Sequence, residues 1–220
     1  RSTLSSSSAA SDVYKRQCIF DLDGTLVDSM WMWPDIDAEY LERFGFEYDD
    51  NLKNEIDGIS FHETAVYFQK KFGIKDSVEK ICQDWEDMAL DKYKYEVKEK
   101  PGCTCFLKHL KSRGIKMGIA TSNNKNMVDA VLNSLNMKDY FEVITTSDEV
   151  KKGKPAPDVY LRTAELLGVR PEKCLVFEDV VAGVIAGKAA GMEVCAIEDD
   201  FSKEVRERKK ELADYYINDY

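Results

Sequence analysis

From about residue 106 onward the chain alternates short apolar runs with stretches of helical periodicity, and this alternation limits the fold more than any other feature. Phe106–Arg113, Asn126–Leu135, Ala156–Leu167 and Val180–Ala190 carry apolar residues at spacings of three and four, which gives a helix one buried face, and Lys203–Ala213 reads as a last helix. Between and after them stand Lys116–Ala120, Glu142–Thr145, Cys174–Phe177 and Val194–Ile197, each short and apolar, as strands covered on both faces are. Strands separated by helices pair through crossovers rather than hairpins, and crossovers generate a parallel sheet flanked by helices. The expected fold class is α/β, a Rossmann-like doubly wound parallel sheet.

Upstream, Cys18-Ile19-Phe20 reads as one more strand, running directly into Asp21-Leu22-Asp23-Gly24-Thr25. From Trp31 to about Val97 the pattern is helical throughout: Leu41, Phe44, Ala65, Phe68, Phe72, Ile81, Trp85, Met88 and Leu90 recur at helical spacing, and Gly45, Gly58 and Gly73 divide the stretch. Lys98–Gly102 breaks the pattern and reads as a return linker. The expected organisation is an α/β core domain of residues 18–28 and 99–220 with an α-helical domain, 29–98, inserted after the first strand. Residues 1–17 show no apolar periodicity, and Ser7–Gln17 (SSAASDVYKRQ) resembles a translated sequencing adapter. They are therefore set apart as an artefactual tail that hides the native N-terminus and any signal peptide it carried.

Charge and composition narrow the function. A formal net charge of −10 opposes binding to a nucleic-acid backbone. No apolar run approaches the roughly 20 residues that a membrane-spanning helix needs. Six cysteines include no Cys-x-x-Cys pair. Cys103-x-Cys105 has only His62 and His109 as imidazole partners in the chain, so buried, reduced thiols of a cytoplasmic protein are expected in place of a zinc site. His109 is expected to be structural. Neither nucleic acid nor membrane is expected as a partner, and the expected state is a monomer or weak dimer.

In a doubly wound sheet, ligands bind beyond the carboxyl ends of the strands. The residues that follow the strands here are Asp21 and Asp23, Thr121 and Ser122, Lys154 in a Gly-Lys-Pro turn, and Glu178-Asp179. Four carboxylates crowded on one rim repel unless a cation lies among them, and an all-oxygen ligand set points to Mg2+. A carboxylate beside a metal, followed two residues later by a second acid, suits phosphoryl transfer through an acyl-phosphate. One carboxylate attacks phosphorus; the other protonates the leaving oxygen and later activates water. Thr121 can donate to a phosphoryl oxygen and Lys154 can neutralise charge developing there. Gly24, Thr25, Ser122 and Asn123 complete the expected phosphate-binding set, with Thr121 and Ser122 also placed to cap the following helix. Removing Lys154 is expected to cost activity and little stability.

The sequences DLDGT at Asp21–Thr25, the strand-terminal Thr121, Lys154 in KGKPAPD and the Glu178-Asp179 pair resemble, in order, the four motifs of the haloacid dehalogenase superfamily. The helical insertion resembles the cap of its β-phosphoglucomutase-like branch. The resemblance implies a haloacid-dehalogenase-like core with Asp21 as nucleophile and Asp23 as acid/base. It also implies Mg2+ held by Asp21, the Asp23 backbone carbonyl, Glu178 and Asp179. The implied activity is a Mg2+-dependent phosphatase acting on a small phosphorylated metabolite, a sugar phosphate by preference. Two insertion positions depart from the mutases of that branch: Trp33 stands where they have a hinge histidine, and Phe61 where they have a phosphate-gripping arginine. A bisphosphate intermediate would then be poorly held, which favours hydrolysis over the mutase alternative. Trp33, Phe61 and His62 are the candidate substrate-facing residues. Dehalogenation has no need of an acid/base at Asp23, and neither has a non-catalytic phosphate-binding module. A receiver-type signalling domain lacks the insertion.

Overall fold

The structure, a computed structural model, describes residues 17–49, 52, 55, 56 and 61–220. In chain order its principal elements are β1 (Gln17–Phe20), β2 (Val27–Asp28), α1 (Met32–Glu42), α2 (Phe61–Phe72), α3 (Val78–Tyr95), β3 (Lys98–Glu99), α4 (Cys103–Ser112) and β4 (Met117–Ala120). There follow α5 (Lys125–Ser134), β5 (Val143–Thr145), α6 (Asp158–Leu167), β6 (Cys174–Glu178), α7 (Val181–Ala189), β7 (Glu193–Ile197), α8 (Arg206–Leu212) and β8 (Tyr215–Ile217).

Six of the strands form one parallel sheet in the order β5-β4-β1-β6-β7-β8. The chain leaves β1 for β4 on one side and later returns to β6 on the other, so the winding reverses at β1. That reversal opens a crevice at the carboxyl end of the central strand, where such folds take their ligands. β1 is suited to the position because Cys18, Ile19 and Phe20 are all buried, Phe20 stacking on Phe177 at 4.7 Å. On one face of the sheet, α6 covers β4, β5 and β1 with Val159, Tyr160 and Ala164, and α7 covers β6 and β7 with Val184 and Ala186. At roughly 1.5–3 kcal/mol for each large apolar side chain buried, this layer is what holds the strand ends in register.

The described chain divides into two compact units, one of the residues up to Asp28 together with Lys98–Tyr220 and one of Ser29–Val97. The second unit is built on α1, α2 and α3. Its centre is aromatic: Trp85 meets Tyr40 at 5.7 Å and Phe68 at 5.1 Å, both edge-to-face, the arrangement that ring quadrupoles prefer. Ser77 opens α3 as a cap, accepting from the Lys80 amide at 3.2 Å. Among the described residues no helix is long and apolar enough to cross a membrane.

Three features differ from the sequence expectation. Gln17, assigned there to the tail, opens β1 and pairs with Cys174; residues 1–16 lie outside the described residues. The supposed return linker is half of an antiparallel ribbon, Val27 opposite Glu99 and Asp28 opposite Lys98. The chain does not stop on a helix: β8 adds Tyr215–Ile217 to the sheet edge. Runs of two or three residues are too short to show a period of two, so neither strand was visible by pattern.

Candidate active site

The site starts from backbone geometry. The Asp21 amide donates to the Phe177 carbonyl at 3.0 Å, prolonging the β1–β6 ladder by one residue and fixing the direction in which Asp21 leaves the strand. The chain then turns at once: Gly24 donates to the Val27 carbonyl at 2.9 Å and Leu26 to that of Leu22 at 2.8 Å. Gly24 has φ +75°, a conformation glycine adopts without a Cβ penalty. The turn buries Thr25, whose hydroxyl donates to Asp179 Oδ1 at 3.0 Å. From the neighbouring strand, Asn123 Nδ2 donates to Asp23 Oδ2 at 3.0 Å, and the Asn123 amide donates to Thr121 Oγ1 at the same distance.

Lys154 ties the two halves of the rim together. Its Nζ lies 2.6 Å from Asp21 Oδ1 and 2.6 Å from Glu178 Oε1, over the ring of Tyr160, with the side chain only 6% exposed. Glu178 is held on both oxygens: Tyr160 donates to Oε1 at 2.9 Å and the Val180 amide to Oε2 at 3.0 Å. Its carboxyl also occupies the space where a Cβ on Gly183 would stand, so any side chain at this helix position would displace it.

Burial is the largest influence on the charges here. It pushes Asp21 up to about 7, against the opposing pull of Lys154 and with Glu178 and Asp23 adding to the rise. Burial raises Asp179 well above the usual carboxylate range, assisted by Glu178 and Asp21. For Lys154 burial works downward, but the Asp21 and Glu178 carboxylates together outweigh it and hold the ammonium well above its ordinary value. The site therefore has a deficit of positive charge. Carboxylate oxygens of Asp21, Glu178 and Asp179 lie within 4.8 Å of one another, the one such buried group among the described residues. Asp179 Oδ2 is buried without a hydrogen-bond partner. An orphaned carboxylate oxygen in an all-oxygen cluster fits a divalent cation.

Of the residues expected from sequence, Lys154 joins Asp21 to Glu178, Thr25 bonds Asp179, and Asn123 bonds both Asp23 and Thr121, with Gly24 shaping the turn. Ser122 is exposed and presents its carbonyl to Ser147 instead. The cap of α5 is Asn124, which accepts from the Met127 amide, and not Thr121 or Ser122. Trp33 is half-buried in α1 and His62 exposed in the first turn of α2, both in the helical unit. The side chain of Phe61 lies outside the described residues. His109 is exposed on α4. All six cysteines are free, but Cys105 is exposed and Cys82 only half-buried, against the expectation of buried thiols. Sequence reasoning missed Tyr160 and Gly183. A glycine inside a helix with no turn to make is a signal of close approach and pointed to Gly183; Tyr160 carried no such mark.

Comparison with known proteins agrees with the geometry. The sequence profile of haloacid dehalogenase-like hydrolases matches residues 18–197. The chain is 35% identical over 175 residues to a phosphorylated carbohydrates phosphatase of Thermotoga maritima, covering 80% of this chain and 81% of that protein. It is 35% identical over 191 residues to (DL)-glycerol-3-phosphatase 2 of Arabidopsis thaliana, covering 82% and 78% respectively. A solved structure from Thermotoga maritima, of a protein proposed to be a β-phosphoglucomutase, superposes with a TM-score of 0.78 at 32% identity over 92% of this chain and 94% of that one.

Proposed function

We propose, from the premise that this chain belongs to the haloacid dehalogenase-like hydrolases, that it is a Mg2+-dependent phosphatase of a small phosphorylated metabolite. Its preferred substrates are sugar or polyol phosphates, and it works through an aspartyl-phosphate on Asp21. The observation that carries the reading is the Asp21 carboxylate at the end of the central strand, clamped by Lys154 at 2.6 Å, with a second acid two residues on.

The residues divide the work as follows. Asp21 Oδ attacks phosphorus, and the bond to the leaving oxygen breaks as Asp23 supplies its proton. Asn123 holds the Asp23 carboxyl toward the rim. Asp23 then takes a proton from the water that hydrolyses the acyl-phosphate. Lys154 and the Thr121–Asn123 turn receive the phosphoryl oxygens, whose charge grows in the transition state. Asp21, Asp179, Glu178 and the Asp23 backbone carbonyl would hold Mg2+, which when bound offsets carboxylate repulsion and polarises the phosphoryl group. We assign recognition of the leaving group to the helical insertion, with Trp33, Phe61 and His62 as candidates. The enzyme is taken to act as a monomer or weak dimer in a reducing cytoplasm, where its cysteines stay free.

The mutase alternative uses the same first step, and the likeness to the Thermotoga protein keeps it in view. Release of inorganic phosphate from a panel of sugar phosphates, glycerol phosphate and nucleoside monophosphates, with Mg2+ and with EDTA, separates the readings. Hydrolysis predicts Mg2+-dependent phosphate release that is strongest on a sugar or polyol phosphate. Isomerisation of a hexose phosphate without phosphate release would favour the mutase. Phosphate binding without turnover of any ester would leave a binding module.

A further inference from the structure

Lys209 of α8 is fully buried, yet its two hydrogen bonds go to neutral oxygens: the Ile197 carbonyl at 3.0 Å and Ser202 Oγ at 2.7 Å. A buried ammonium without a directly bonded carboxylate is costly, and an apolar residue of the same length would cover the site more cheaply. What stands around it is the field of Asp179, Glu198, Asp199 and Glu178. The geometry of the serine shows where the charge is used. A hydroxyl has one hydrogen to give. Lys209 occupies a lone pair of Ser202 Oγ, which leaves the hydrogen for the Asp179 carbonyl at 2.9 Å; the Asp199 carbonyl lies farther off, at 3.3 Å.

We propose that Lys209, acting through Ser202, is a positioning residue that fixes the main chain of Asp179 so that its free carboxylate oxygen faces the cation. The proposal rests on the reading of Asp179 as a metal ligand. Asp179 is then held at two points, its carbonyl by Ser202 and Oδ1 by Thr25, and Oδ2 is the oxygen left without a protein partner. Outer partners of this kind set the orientation and hence the affinity of metal ligands. Neither Ser202 nor Lys209 belongs to the four sequence motifs, and the brace comes from the segment that follows β7.

The test uses the full-length protein and Mg2+ titrated calorimetrically without substrate. Lys209→Met and Ser202→Ala should each weaken Mg2+ binding about 10-fold or more, with a smaller fall in kcat on p-nitrophenyl phosphate at saturating Mg2+. Lys100→Met is the control. Lys100 is a buried lysine of the same unit, paired with Asp199 Oδ2 at 2.8 Å and making no bond to Ser202. It should lower thermal stability and leave Mg2+ affinity unchanged. Unchanged affinity in Lys209→Met and Ser202→Ala, or an equal loss in Lys100→Met, would overturn the proposal. Should Lys209→Met fail to fold, Ser202→Ala, which deletes one hydroxyl, decides alone. Asp179→Asn separates the two levels: wild-type Mg2+ affinity in that variant would refute the metal reading itself, whereas its loss alongside normal affinity in the other two would refute only the brace.

Discussion

Replacing Lys154 with Met keeps most of the side-chain volume and removes the one positive charge bonded to both Asp21 and Glu178. Two effects follow, and the structure sets their sizes. Each lost bond is charge-assisted, and such bonds are worth roughly 1.5–3 kcal/mol, so loss of the contact to a phosphoryl oxygen or to Asp21 in the transition state should lower kcat/KM about 10- to 150-fold. Stability should fall as well, because two buried carboxylates lose their partner. Breaking a buried pair from one side typically costs about 3–5 kcal/mol. That figure is a ceiling here, since Asp21, pushed up to about 7 even beside Lys154, can take up a proton instead. For a chain of this size that ceiling corresponds to roughly 6–20 °C in Tm near neutral pH. The sequence argument expects little stability cost, on the ground that the carboxylate cluster and not Lys154 carries the strain, whereas the geometry makes Lys154 a clamp between two buried carboxylates. Thermal unfolding without metal and steady-state kinetics on p-nitrophenyl phosphate measure both effects. Lys152→Met is the comparison, an exposed lysine two residues away. An unchanged Tm for Lys154→Met, or equal kinetic losses for the two lysines, would refute the clamp.

Gly183→Ala places a methyl group where the Glu178 carboxyl now lies, so it should displace Glu178 from Lys154 and lower kcat/KM at least 10-fold, as steady-state kinetics will show; wild-type activity would mean that Glu178 does not need its present position. Chelation by EDTA should abolish phosphate release, added Mg2+ should restore it, and Ca2+ should inhibit because its looser coordination misplaces the attacking carboxylate. Full activity in EDTA is the contrary result. Burial pushes Asp37, in α1, up to about 7. Its protonated form is therefore favoured by the fold, and its contribution to stability is lost as pH rises from about 4 through 7. Asp37→Asn should accordingly raise unfolding free energy above pH 7 by roughly 1–3 kcal/mol, with little effect near pH 4. An equal effect at both pH values, read from denaturant melts, would remove burial of the charge as its cause.

The parallel sheet was legible because four of its six strands are apolar runs separated by amphipathic helices, and a fifth, β1, feeds directly into a dense polar motif. Asp21, Asp23, Thr121, Lys154, Glu178 and Asp179 were legible because each immediately follows a strand or sits in a turn punctuated by Gly and Pro. The neighbours that decide their charge and orientation were not. Tyr160 lies on the buried face of α6, where an aromatic residue at helical spacing reads as core, and its hydroxyl acquires a role only once α6 packs on β4, β5 and β1 and brings it to Glu178. Lys209 is a charged residue within the last expected helix and Ser202 just precedes that helix, so neither was marked for the interior, yet Lys209 is fully buried. Periodicity reports which face of an element is apolar. It does not report which polar atom on that face meets a partner distant in the chain.

The central claim is that Asp21 carries the phosphoryl group. Asp23→Asn should retain attack by Asp21 but slow hydrolysis of the acyl-phosphate, so mixing it with p-nitrophenyl phosphate and Mg2+ should give a stoichiometric burst of nitrophenolate. Acid quenching followed by tryptic mass spectrometry should then find a phosphoryl group in the peptide spanning residues 17–43, on Asp21, and Asp21→Asn should show neither burst nor adduct. A variant at Asp21 that turns over substrate at near wild-type rate, or a phosphoryl group found on any other residue, would contradict the account.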